Sequence, residues 1–196
     1  MTNEGDELIP TKATLLGRLK NSKDQSSWQE FFDTYSRLIY GVARKAGLND
    51  EEAQEVLEAT MDLVAAQMPT FKYNPMIGSF KSWLLNLTRL QVITRSLKRR
   101  SPSQNKAVTE AETSKTVDRV WDTEWQTNMT EAAITNVRRR LDPKKYQIYD
   151  FCVNKKWSPE KVSGAFSVSV EEAREAVESI TQMIEAELKR LEREML

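Results

Sequence analysis

The chain has 196 residues, with 29 Lys+Arg against 29 Asp+Glu, so its net charge names no partner and its length suits one large domain or two small ones. It has no histidine and a single cysteine, Cys152, which excludes imidazole acid–base catalysis, zinc sites that need a His ligand and an intramolecular disulfide. Six glycines and six prolines are few for a sheet protein, no apolar run nears the roughly 18–20 residues of a membrane span, and the acidic start Met1–Asp6 lacks the apolar core of a signal peptide.

These bounds predict an all-α, cytoplasmic chain without membrane insertion. No catalytic set, metal site or cofactor is expected, and an enzyme is the less favoured class. After a tail of residues 1–10, a short helix is expected around Thr14–Lys20. Trp28, Phe31, Phe32, Tyr35, Leu38, Ile39, Val42, Ala43 and Ala46 mark one face of an amphipathic helix, which Gly47 ends. Asn49 opens the next helix, with Glu52 as its capping-box partner. That helix carries Ala53, Val56, Leu57, Thr60 and Val64 inward, and Pro69 stops it because proline disfavours helical geometry in the preceding residue. Residues 70–79, with Pro75 and Gly78, read as a loop before a fourth helix from Phe80 to about Arg100.

These helices form one predicted domain, residues 11–100. Residues 101–116 have almost no large apolar side chain and read as a linker. A second domain, residues 117–196, opens with Val117, Trp121, Trp125, Met129, Ala133, Val137 and Leu141 recurring every four residues. Asp142-Pro143 and Ser158-Pro159 each supply an N-cap followed by proline at the first helical position. Ser169 with Glu172 is a capping box opening a long last helix. The order helix, short helix, tight turn, long helix outlines a helix-turn-helix. Cys152, between Phe151 and Val153, reads as an inert buried thiol, and Trp121 and Trp125 as packing anchors.

Charge is sorted along the chain although its total is zero. Ala46–Phe71 holds six acids and no base, while Leu63–Thr109 holds eight bases and no acid. At about 100° per residue, Glu51, Glu55, Glu58 and Asp62 form a stripe opposite Ala53, Leu57, Thr60 and Val64. Lys81, Arg89, Arg95 and Arg99 form another, placed opposite Trp83, Leu87, Leu90 and Thr94. An acidic ridge suits a basic protein surface. A basic ridge interleaved with aromatic rings suits nucleic-acid phosphates and unpaired bases.

Three stretches carry a resemblance to the extracytoplasmic-function (ECF) sigma factors, the small two-domain sigma subunits of bacterial RNA polymerase. Trp28–Tyr35 with Ala43–Gly47 resembles the opening of the region-two domain. Asp50–Val56 followed by Phe80–Leu84 resembles its polymerase-binding and promoter-melting helices. Leu141–Pro143, Trp157–Val162 and Val168–Val170 resemble the region-four helix-turn-helix, and Trp121–Trp125 resembles its beginning in one subgroup. The resemblance implies a non-enzymatic factor that docks on core RNA polymerase and directs promoter recognition and opening. Glu51, Glu55, Glu58 and Asp62 would meet the β′ clamp helices. Lys81, Trp83, Asn86, Arg89, Arg95, Lys98, Arg99 and Arg100 would face the −10 promoter DNA. Lys161, Ser169, Glu171, Glu172, Arg174 and Glu175 would lie at the −35 element, and an anti-sigma factor is a further partner the family admits.

Two departures matter. Glu58-Ala59 stands where the family often has Gln-Glu. The would-be recognition helix is acidic, with eight acids against four bases from Ser169 to Leu196. Carboxylates near phosphates repel at short range. Flanking bases such as Arg138, Arg139, Lys144 and Lys145 offer a route to DNA, and an alternative is a sigma-like protein-interaction regulator that no longer reads DNA. A third outcome rests the acidic last helix on the Lys81–Arg100 ridge in the free protein.

Overall fold

The computed structural model describes residues 15–71, 79–99 and 106–194. Every regular element among them is helical: α1 (Leu15–Leu19), α2 (Gln25–Lys45), α3 (Asp50–Gln67), α4 (Phe80–Arg99), α5 (Lys106–Arg138), α6 (Pro143–Val153), α7 (Pro159–Phe166) and α8 (Val170–Glu194), plus one 3₁₀ turn at Met68–Thr70. The all-α expectation holds. The expected tail, Arg100 and most of the 70–79 loop lie outside the described residues.

Local signals set most boundaries. The Asp24 carboxylate caps α2 by accepting from the Ser27 backbone N–H. The α2 chain then turns at Gly47, whose φ of 94° costs a residue without a Cβ little. Asn49 and Glu52 exchange reciprocal bonds of 2.9 Å at the start of α3. The Asn49 N–H and then Arg99 hold the Glu52 carboxyl below its ordinary range, against the opposing effect of its burial. Asp142, Ser158 and Ser169 cap α6, α7 and α8, the last with Glu172 returning the bond to the Ser169 N–H at 2.6 Å. Ser167 makes the turn after α7 with a left-handed φ of 51°.

The linker expectation is corrected. The chain is helical from Lys106, and α5 is continuous to Arg138. Six of the eleven residues of Lys106–Thr116 are good helix formers (two each of Lys, Ala and Glu), and the segment continues directly into the Val117–Trp125 stripe. The chain separates into two compact units, one from residues up to Asn128 with the last few from Arg193, the other Met129–Glu192. The boundary therefore falls within α5, not at residue 117.

In the first unit, Phe31, Tyr35 and Phe80 are fully buried and pack ring on ring, and Leu38, Ile39, Val42, Val56 and Leu84 are buried in the same unit. Trp125 joins this core from α5, its ring 5.9 Å from Tyr35 and 6.5 Å from Phe80. Asn128 donates to the Thr34 carbonyl at 2.7 Å. Gly41 permits the close approach, because a Cβ there would stand 3.1 Å from the Glu124 carboxylate. The second unit has two small apolar clusters. Val137, Tyr149 and Ile180 form one; Ile148, Val162 and Ala173 form the other, with Phe151 and Trp157 against it. Glu187 is nearly enclosed there and accepts from Asn136 at 2.9 Å and from Arg190 at 2.7 Å and 3.0 Å. Cys152, expected to be buried, is half-buried against the second cluster, and that burial raises its thiol pKa.

Candidate nucleic-acid interface

Helix α4 buries a face rotated from the expected one: Leu87 is inside as expected and Trp83 is half-buried, while Leu90 and Thr94 are exposed. Phe80, Leu84, Leu87, Thr88 and Val92 face the core. Leu90, expected inside, is 53% exposed, and Ser82, Asn86 and Thr94 are exposed with it. The cations thus flank the core instead of opposing it. The Lys81, Arg89 and Arg95 side chains are only 31%, 27% and 29% exposed, and the Nε atoms of Arg89 and Arg95 are enclosed.

Each head there meets an acid of the same unit. Lys81 Nζ binds the Asp122 carboxylate at 2.6 Å and lies 5.7 Å from the centre of the Trp125 ring. Arg89 pairs with Asp118 and also donates to Asn86 Oδ1 at 3.1 Å. Arg95 pairs with Glu55 at 2.7 Å. Arg99 donates to the Glu52 carboxylate at 3.2 Å and to the Gly47 carbonyl at 3.0 Å. Four cations of the basic ridge are therefore paired with acids of α3 and α5. Lys98 is exposed and makes no ion pair among the described residues. Trp83 is half-buried, its ring 4.7 Å from Phe71 and 5.6 Å from Phe80, so one edge joins the core aromatics.

The acidic ridge of α3 is exposed as expected, with Ala53, Leu57, Thr60 and Val64 buried opposite. Its members are not equivalent. Glu55 is held by Arg95. Glu58 accepts only a neutral bond from Gln54, and Glu51 and Asp62 make no ion pair among the described residues. Among the described residues, Glu51, Glu58 and Asp62 are the members of the ridge without a paired base.

In the second unit, two of the expected −35 residues have local duties, since Ser169 and Glu172 close the α8 capping box. Glu171, Glu175 and Glu178 are exposed along α8. Arg174 lies 3.6 Å from Glu160 of α7. Lys161 Nζ sits 3.8 Å from the centre of the Trp157 ring with its charge open to solvent. A cleft of about 620 Å³ between α6 and α8 has an apolar floor of Leu141, Ile148 and Ile180, with Lys144, Lys145 and Glu175 at its rim.

The residues that sequence reasoning missed are Asp118 and Asp122. Their signal was present: each stands three residues before a tryptophan of the α5 stripe, so burying Trp121 and Trp125 carries both carboxylates to the edge of the same contact. No helix among the described residues is long and apolar enough to cross a membrane, and none of their acids or cysteine groups into a metal-ligating set. The chain matches no family model, and no curated protein is significantly similar to it in sequence.

Proposed function

We propose that this chain is a promoter-specificity subunit of bacterial RNA polymerase, of the ECF sigma type, acting in the cytoplasm without covalent chemistry. The observation that carries the reading is the pairing of two unlike helices. Helix α3 projects Glu51, Glu58 and Asp62 without compensating bases, as docking on a basic protein surface requires. Helix α4, packed beside it, offers exposed Asn86 and Lys98, a partly open Trp83 ring and cations whose ion pairs lie at the surface. Such groups suit a melted strand, with the ring taking an unstacked base and the cations its phosphates.

Capture of core RNA polymerase followed by run-off transcription tests the proposal. The E51K/E58K/D62K variant is expected to lose polymerase binding about tenfold or more, since it reverses three exposed charges without touching the Glu55–Arg95 pair. Equal capture by the variant and the unaltered chain defeats the docking assignment.

One observation favours a second reading, a polymerase-binding regulator that does not read DNA. The α4 cations are internally paired and α8 presents Glu171, Glu175 and Glu178 to solvent. Polymerase capture without promoter-dependent transcripts selects this reading.

A further inference from the structure

Three of the four ion pairs on α4, those of Lys81, Arg89 and Arg99, are of two physical kinds. Glu52 is 7% exposed on its side chain and closes the α3 capping box, so the Arg99–Glu52 pair is part of the scaffold. Asp118 and Asp122 are different. Their side chains are 48% and 79% exposed, and neither caps a helix nor binds a backbone N–H among the described residues. The helix that carries them is fixed, because Trp121 and Trp125 are 2% and 5% exposed and Asn128 is bonded to the Thr34 carbonyl. The carboxylates can therefore turn away from Lys81 and Arg89 while α5 stays in place. Each pair has a part-buried cation and an exposed acid, so the carboxylate side is screened by solvent and the phosphates of a strand can compete for the cation.

We infer that Asp118 and Asp122 are built-in competitors for the phosphates of a single nucleic-acid strand. They hold Lys81 and Arg89 neutral until a strand supplies the replacement anions. The inference rests on the proposed function and assigns regulation to the same α4 surface. It also divides that surface: Lys81 and Arg89 exchange partners, whereas Arg99 keeps Glu52. Because the displaced anion is tethered to the protein, wild-type binding at these two cations releases no free counterion. Removing the tethered acids restores that release and steepens the salt dependence.

The test uses the full chain and a fluorescently labelled single-stranded DNA oligonucleotide, with affinity measured by anisotropy between about 50 and 200 mM salt. D118N/D122N is expected to bind roughly tenfold tighter at the low-salt end, with a slope of log affinity against log salt steeper by about 1.4, or about 0.7 for each of two phosphates. E110Q/E112Q removes two exposed acids of the same helix that pair with no α4 cation among the described residues, and controls for net charge. It is expected to leave the slope unchanged. Matching far-UV circular dichroism melts confirm that the amide variants are folded. If D118N/D122N and E110Q/E112Q shift affinity and slope alike, or neither shifts them while K81E/R89E still abolishes binding, the competitor assignment fails and the nucleic-acid reading stands. If no form of the chain binds the oligonucleotide and K81E/R89E changes nothing, both fail together.

Discussion

Trp125→Ala is expected to destabilise the first unit by about 3–5 kcal/mol, the usual cost of deleting a buried large aromatic side chain. The residue is 5% exposed, and its ring lies within 6.5 Å of the Tyr35, Phe80 and Trp121 rings, so truncation leaves a cavity lined by rigid aromatic groups that cannot collapse into it. Urea unfolding followed by circular dichroism checks the magnitude. Amide exchange should show lost protection in α2 and α4, which carry the Tyr35 and Phe80 rings that Trp125 meets. The same packing predicts a sharper result from truncation. A fragment ending at residue 128 should fold cooperatively. One ending at residue 105 should not, because it exposes Tyr35 and Phe80 and removes the carboxylates facing Lys45, Lys81 and Arg89. A stable, cooperative 1–105 fragment would show that α5 is dispensable to the unit and would return the boundary to residue 117.

Glu187→Ala is expected to cost about 2–3 kcal/mol in the second unit. Glu187 is 5% exposed and gathers Asn136, Arg140 and Arg190, so its loss leaves a part-buried amide without this acceptor and removes the carboxylate facing two guanidinium groups. The lower end of the range applies because both arginines keep access to water. Glu187→Gln retains an acceptor but loses the charge and should fall between. The same site predicts a pH dependence. Hydrogen bonding from Arg190, then from Asn136, holds the Glu187 carboxyl below its ordinary range despite its burial. A depressed carboxyl contributes stability that is complete above the unfolded value of about 4.3 and is lost as pH falls through the lower, folded value. Chemical-denaturation midpoints should therefore decline in the wild type below about pH 4.3 and decline less in Glu187→Ala. Parallel pH profiles for the two proteins exclude the assignment.

The ion pairs on α4 change what a charge map means for function. Sorted charge along a chain records what a helix carries, not what remains available once its neighbours are packed. Lys81, Arg89, Arg95 and Arg99 are a cationic run in sequence and a neutralised rim in the fold. Glu51, Glu58 and Asp62 kept the accessibility that their spacing implied, because α3 has one apolar stripe and only one way to face the core.

That contrast separates what was written locally from what was not. Helix starts at Asn49, Asp142, Ser158 and Ser169, the stop at Gly47 and the acid-bearing face of α3 depend on residues within a turn or two of one another, so composition and spacing alone determined them. The orientation of α4, the inclusion of Lys106–Asn128 in the first unit and the partners of the basic ridge could be decided only in three dimensions. Helix α4 has apolar residues on more than one side, and which of them are buried depends on where its neighbours, including the Trp125 ring of α5, come to lie. Burying two tryptophans outweighs the exposed cationic face that the linear pattern suggested, because a large aromatic surface removed from water contributes more than a surface ion pair.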